Sequence, residues 1–269
     1  MSSLPMILLL LGGGPAQQPD NLPDTKTEAK EASATAMKLT AEFVVTFDQS
    51  GKKVRLERPA EPVLRWTNHL GRRFYGDVYV WTHEGRPEVV ASVSTIFTAK
   101  TSTYTEIHSL STERPILSRG GKVVWEPNEP GVEFKPLPSA PKPGPTATTR
   151  RLQLRNLAAQ FSVVADYGID KEQKEALRLL GTPVYRYQSV GQGVVDGALF
   201  AFTKGTDPDT FLMIEARGKK NDAEWQFAFA RFNGNCVLRA TLKDKEVWHA
   251  DRLPTKMIVD PKQPYFNFR

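Results

Sequence analysis

From Glu42 to Asp48 (EFVVTFD) apolar and polar residues alternate, so that Phe43, Val45 and Phe47 fall on one side of an extended chain. Runs of similar length follow at 53–57, 63–67, 76–82, 89–97, 103–110, 122–125 and 131–134. Gly, Pro, Asn and Asp punctuate them, as strand-to-strand turns require. A second series lies at 177–180, 184–189, 197–203, 211–216, 224–232, 236–242 and 246–249. A helix is predicted ahead of each series. Residues 25–39 are rich in Ala, Glu, Lys and Met, all good helix formers. Residues 149–164 carry Leu152, Leu154, Leu157, Ala158 and Phe161 near helical spacing. Between the series, 136–145 (PLPSAPKPGP) holds five prolines and reads as an extended connector.

The order helix, strands, connector, helix, strands predicts an internal duplication. A shift of 121 residues places Pro62-Val63-Leu64-Arg65-Trp66 on Pro183-Val184-Tyr185-Arg186-Tyr187. The same shift places Gly76 through Thr82 (GDVYVWT) on Gly197 through Thr203 (GALFAFT). The fold class expected is β-rich α+β: two tandem copies of a helix-plus-antiparallel-sheet unit, packed as one pseudo-symmetric body. The divisions are a signal peptide 1–16, a linker 17–24, a first repeat 25–135, a proline-rich connector 136–147, a second repeat 148–252 and a C-terminal tail 253–269. In Val78–Trp81 and Leu199–Phe202 both faces of the strand are apolar. Such strands are covered on both sides, one face by the unit's own helix and the other by a second sheet or the partner half. Trp81 and Phe202 are therefore expected in the core.

Met6 to Leu11 (MILLLL) is far shorter than the ~20 residues of a membrane-spanning helix. With Gly14 and Ala16 after it, it fits a secretory signal cleaved after Ala16, although Ser2, Ser3 and Leu4 add no positive charge. The expected location is the periplasm or the exterior, with no transmembrane segment. The single cysteine, Cys236, excludes an intrachain disulfide framework. The formal net charge of +6 comes from scattered residues, with Arg72-Arg73, Arg150-Arg151 and Lys219-Lys220 as mere pairs. No basic stripe interleaved with aromatics appears, and nucleic acid is not expected as a partner.

Catalytic motifs are missing from this pattern. His69, His83, His108 and His249 have no metal-ligand spacing. No nucleophile elbow and no phosphate loop is present. Gly191-Gln192-Gly193 lacks a third glycine because Asp196 stands there, so it reads as a hairpin loop rather than a dinucleotide site. Asp207-Pro208-Asp209 reads as a β-turn, since two carboxylates supply few of the oxygens calcium needs. Carboxylates for acid–base work would come from Asp77, Glu84, Glu88 or Glu106. No cofactor, metal or catalytic residue is assigned. The ligand-binding candidates are Trp66, Asn68, His69, Asp77 and His83. An aromatic face with amide and carboxylate partners suits a sugar, whose C–H faces stack and whose hydroxyls need hydrogen bonds. His108 aligns with Phe229 and reads as a half-buried histidine.

Several stretches together carry a resemblance: Glu61 through Asn68 (EPVLRWTN), Gly85-Arg86-Pro87-Glu88, His108-Ser109-Leu110-Ser111, Asp196 through Phe202 (DGALFAF), Gly205-Thr206-Asp207-Pro208 and Trp225 through Arg231 (WQFAFAR). Over about residues 30–250 the chain resembles a group of exported, uncharacterised proteins of planctomycete-type bacteria. The resemblance implies export and bacterial origin and assigns no site. The function expected is a non-catalytic binding or interaction protein of the bacterial envelope or exterior, with a glycan or another envelope component as partner. The alternative is a hydrolase with its site in the cleft between the two halves.

Overall fold

The computed structural model describes residues 25–49, 51–68, 73–219 and 222–269. The expected signal peptide 1–16, the linker 17–24 and His69 lie outside the described residues. The described residues begin with α1 (Thr25–Ala41), β1 (Phe43–Gln49), β2 (Lys52–Arg55), β3 (Leu64–Asn68), β4 (Arg73–His83), β5 (Arg86–Phe97), β6 (Ser102–Ser109), β7 (Ile116–Arg119), β8 (Lys122–Trp125) and β9 (Lys135–Pro136). They continue with α2 (Ala147–Ala158), β10 (Phe161–Asp166), β11 (Lys174–Leu179), β12 (Tyr185–Ser189), β13 (Val194–Lys204), β14 (Asp207–Arg217), β15 (Glu224–Arg231), β16 (Val237–Leu242), β17 (Lys245–Ala250), α3 (Thr255–Ile258) and β18 (Tyr265–Phe268). The fold is β-rich, with a few helices and several antiparallel sheets.

α1 buries Glu28, Ala32, Ala36 and Thr40, every fourth residue along one side. Two alanines on that side let the helix lie close against β4 and β5. α2 starts where the hydroxyl of Thr146 accepts from the Thr149 amide at 3.1 Å, satisfying one of the donors a helix start leaves free. It ends at Ala158, short of the expected 164. Phe161, Val163 and Ala165 face inward from strand β10 instead. Their spacing of two coincides with a helical stripe only for a turn, and Leu152, counted in that stripe, is exposed. Residues 131–134, expected as a strand, are irregular, while β7 and β18 stand where no strand was expected.

The described strands form three sheets, with strand orders β2-β1-β7-β8, β18-β6-β5-β4-β3 and β17-β16-β10-β11-β13-β14-β15-β9, with β12 also pairing with β13. The long strands β4, β5, β13 and β14 are covered on both faces. Between the sheets, Trp66, Val78, Val80 and Val90 meet Leu199, Ala201, Phe211 and Met213. On one outer face Tyr79, Trp81, Val89 and Ala91 pack with Ala36 of α1 and Phe43, Val45 and Phe47 of β1. On the other, Phe200, Phe202, Leu212 and Ile214 pack with Leu154, Leu157 and Ala158 of α2. Trp81 and Phe202 are each 1% exposed, so both are core and neither is a stacking platform for a ligand.

Two strands cross between the series. β9 follows the first series yet pairs with β15, Lys135 opposite Phe227. β18 closes the second series yet pairs with β6, from Tyr265 opposite His108 to Phe268 opposite Thr105. Each series is thus edged by the other's trailing segment, and the expected tail 253–269 is part of the sheet framework. Two glycines admit the aromatics that line the layer between the sheets. A Cβ at Gly76 would lie 2.3 Å from the Trp66 indole, and one at Gly197 would lie 2.5 Å from the Tyr187 ring.

Candidate functional site

Along β5 the residues Glu88, Val90, Ser92 and Ser94 alternate onto the face that meets the opposite sheet, as Asp209, Phe211, Met213 and Glu215 do along β14. The start of each strand lies near the end of the other: Arg86 meets Glu215, and Asp207 meets Ser94 across a cavity. The layer is therefore apolar in the middle and polar at both ends.

At the first end, Arg86 is 2% exposed. Its Nε donates to Glu215 Oε1 at 2.8 Å and its Nη1 to Glu88 Oε2 at 2.7 Å. Tyr187 donates its hydroxyl to Glu215 Oε1 at 2.7 Å, and Arg217 pairs with the other oxygen. The Phe134 ring lies 5.3 Å from the Arg86 guanidinium carbon and 4.9 Å from that of Arg217, a cation–π arrangement. Burial alone opposes the charge on Arg86, but Glu215 and Glu88 outweigh it and hold the guanidinium charged above its ordinary range. Two cations and two carboxylates close this end.

At the second end, Ser94, Glu106, Asp207 and Asp209 face a cavity of about 350 Å³, with Phe74, Ile96, Tyr104, Phe232, Asn233, Asn235 and Asn267 completing its walls. Glu106 Oε1 accepts from the Tyr265 hydroxyl at 2.6 Å and from Asn267 Nδ2 at 3.4 Å. Asp209 accepts from the Tyr167 hydroxyl at 2.5 Å and from Asn233 Nδ2 at 2.7 Å. Asp207 has no hydrogen bond or ion pair among the described residues, and neither has the Ser94 hydroxyl, although Ser94 is 2% exposed. None of the three carboxylates meets a cation in an ion pair among the described residues. Lys204 is turned to Glu175 and lies over Tyr167, and Arg231 donates to the carbonyls of Asn233, Cys236 and Asp251. Arg269 donates to the Tyr104 hydroxyl.

This imbalance sets the protonation of the site. Burial pushes the Glu106 carboxyl up to about 7 against the pull of Tyr265, and Asp209 adds to the rise. Asp207 is raised well above the usual carboxylate range by burial, then by the charges of Glu106 and Asp209. Burial also raises Asp209, although Tyr167 and Asn233 oppose it. The adjoining Cys236 thiol is pushed up to about 12, by burial first and Asp209 second. Burial without a partner charge is the common cause. Among the described residues, no three His, Cys, Asp or Glu side chains converge to hold a metal ion.

The residues singled out from sequence are not gathered in one place. Trp66 lies in the layer between the sheets, 3% exposed, and its Nε1 donates to the Ser92 hydroxyl at 3.0 Å. Asp77 is on the opposite face of the sheet, buried under α1, where it accepts from Ser33 and pairs with Arg65. That inversion follows from strand alternation, because Gly76 and not Asp77 is the residue opposite Trp66. Asn68 ends β3, partly buried. His83 sits at the end of β4 with its ring edge-on to Phe47 at 5.2 Å. His108 is 4% exposed and bonded to the Ser109 carbonyl, with burial lowering its pKa to about 4.

Of the acid–base candidates, Glu106 lines the cavity, Glu88 belongs to the closed end, and Asp77 is under the helix. Asp207 and Asp209, expected in a turn, begin β14, and the turn is made by Gly205 and Thr206. Their signal was two acids alternating onto the same strand face as Phe211 and Met213.

Neither family models, curated proteins nor solved structures give a match to this chain. No helix among the described residues is long and apolar enough to cross a membrane.

Proposed function

We propose that the chain is an exported, non-catalytic binding protein of the bacterial envelope or exterior. In this reading it is built from two tandem copies of one helix-plus-sheet unit, and its ligand occupies the acidic cavity between them. The duplication is supported by spans and registers. β3 and β12 lie 121 residues apart at both ends, as do β4 and β13. Leu64 opposes Val78 and Trp66 opposes Gly76; 121 residues on, Tyr185 opposes Leu199 and Tyr187 opposes Gly197. A bulge follows Trp81, and another follows Phe202. The order β2-β1-β7-β8 recurs as β11-β10-β16-β17. Export rests on the apolar run Met6–Leu11 and on the resemblance to exported bacterial proteins.

The observation that carries the binding function is the cavity itself, with three carboxylates and the Ser94 hydroxyl facing it and no cation in an ion pair with them among the described residues, Lys204 acting on Asp209 only from a distance. Polar groups converging on a concave, aromatic-walled space are what a ligand site needs. A hydrolase is the second reading, favoured by Glu106 with its pKa at about 7 in the same cavity. Two-carboxylate hydrolysis needs one group ionised while the other is protonated. Here burial raises all three carboxyls, and the substrate panel below decides between the two readings.

The test is a thermal-shift screen of the full chain against glycans and soluble envelope fragments, with a panel of chromogenic ester and glycoside substrates beside it. A ligand that raises Tm in the wild type but not in Asp207→Asn, and is recovered unchanged, is the expected result. Turnover of any substrate that Asp207→Asn or Glu106→Gln abolishes would replace binding with hydrolysis.

A further inference from the structure

We infer that the cavity between Ser94, Glu106, Asp207 and Asp209 takes a small organic cation, an ammonium or guanidinium group on a short carbon skeleton. This rests on the binding function proposed above and names its ligand class. Four observations converge on it.

The first is the charge balance within the layer. Glu88 and Glu215 are buried at one end around the Arg86 guanidinium. At the other end Asp209 is buried and Glu106 and Asp207 are half-buried, and no such partner meets them among the described residues. The molecule itself supplies, at Arg86, an example of the group that two enclosed carboxylates accept here.

The second is the set of acceptors left over. Among the described residues neither oxygen of Asp207 has a hydrogen-bond donor, and Glu106 accepts only at Oε1, from Tyr265 and Asn267. The Ser94 hydroxyl, 2% exposed, faces the cavity without a hydrogen-bond partner. These acceptors open onto the cavity with hydrogen-bonding capacity unused, and a ligand bearing several N–H donors would satisfy them together. An ammonium carries three such donors, and a guanidinium presents a planar fork of them.

The third is the wall. Phe74 and Phe232 supply aromatic surface for methylene groups and for the cation, and the Tyr104 ring already carries the Arg269 guanidinium at 4.8 Å. The fourth separates an organic cation from a metal. No three acidic or His side chains among the described residues converge closely enough to coordinate an ion, an arrangement that suits donors carried on a larger group. A cavity of about 350 Å³ lies at the small end of ordinary ligand sites.

Isothermal titration calorimetry of the full chain at pH 8 and low salt, with 1,4-diaminobutane and agmatine as probes, tests this directly. The neutral isostere 1,4-butanediol, calcium chloride and N-acetylglucosamine serve as comparisons. At least one amine is expected to bind with one site. Asp207→Asn should weaken it tenfold or more and Ser94→Ala severalfold, and butanediol and calcium should give no binding. Thermal unfolding of both variants, with Tm no lower than wild type by more than a few degrees, shows that the loss is not unfolding.

Calcium or butanediol binding as tightly as the amines would overturn the ligand class. So would amine binding that Asp207→Asn leaves unchanged. If N-acetylglucosamine binds through Asp207 and the amines do not, the class falls and the cavity remains a binding site. If none of the five probes binds, the cation class falls. The binding function itself then stands or falls on the wider ligand screen above.

Discussion

At one end of the layer between the sheets, Arg86 sits between Glu88 and Glu215, with Arg217 and Tyr187 completing their hydrogen bonds. At the other end Asp207, Asp209 and Glu106 surround open space, and only tyrosine and asparagine donors reach them. The strands that build the two ends are alike. Thr82 opposes Pro87 at the start of β5, and Thr203 opposes Pro208 at the start of β14. Arg86 and Glu88 flank the one proline as Asp207 and Asp209 flank the other. The closed end holds Arg86 with Glu215 and Arg217, whereas the open end holds Asp207 with Ser94 and Ile96, so two cations present at the first have no counterpart at the second. Enclosed charges are tolerated when paired and raise the energy of the free protein when they are not.

The largest effect expected is at the closed end. Arg86→Met leaves Glu88 and Glu215 enclosed with one fewer cation, and should cost about 3–5 kcal/mol in urea unfolding, as breaking a buried pair does. A loss below about 1 kcal/mol would mean that this end is no more compensated than the other. Trp81→Ala and Phe202→Ala test whether the outer faces are as alike as the strands suggest. Each should lose about 3–5 kcal/mol, the usual cost of truncating a buried large aromatic. Strongly unequal losses would extend the difference between the two regions beyond their polar ends.

The pH dependence of stability separates the ends next. Glu106 is raised from its ordinary value of 4.5 to about 7, so the folded protein holds a proton that the unfolded chain releases. The stabilisation this gives is complete below about pH 4.5 and is lost as the pH rises through about 7. His108, depressed from 6.5 to about 4, acts in the opposite sense, destabilising the fold as the pH falls from 6.5 towards 4. Comparing wild type with Glu106→Gln removes the histidine's contribution. Relative to the variant, wild type should lose on the order of 2–3 kcal/mol between pH 4.5 and 8. A difference independent of pH would show that Glu106 titrates normally.

The smallest effect has the opposite sign. Asp207→Asn removes a carboxylate with no partner, and should raise the stability of the free protein at pH 8 by about 1 kcal/mol. Destabilisation would mean that Asp207 serves the fold.

The framework was legible where the pattern was local and two-sided. Val78–Trp81 and Leu199–Phe202, apolar at every position, announced strands covered on both faces, and they are. The end of α2 was not legible, because Leu154, Leu157 and Ala158 lead into Phe161 without a glycine or proline to mark the stop. β18 was invisible because four residues become a strand only by lying along β6, some 160 residues earlier. The site was missed for the same reason. Asp207-Pro208-Asp209 has the composition of a turn, and its meaning comes from Glu106 and Ser94 across the layer, brought there by strand register rather than by spacing. The residues chosen instead, Trp66 and Asp77, are close in sequence terms but separated by the thickness of a sheet.

The central claim is that the open end holds enclosed carboxylates awaiting a cation, and a ¹³C NMR titration of the Glu106 carboxyl measures this most directly. The full chain would be followed from pH 4 to 9, alone and with saturating 1,4-diaminobutane, with Glu106→Gln used to assign the signal. The midpoint should lie near 7 in the free protein and fall by at least one unit with the diamine, because a bound cation favours the ionised form. A midpoint near the ordinary 4.5 in the free protein, or one that the diamine does not move, would contradict the account.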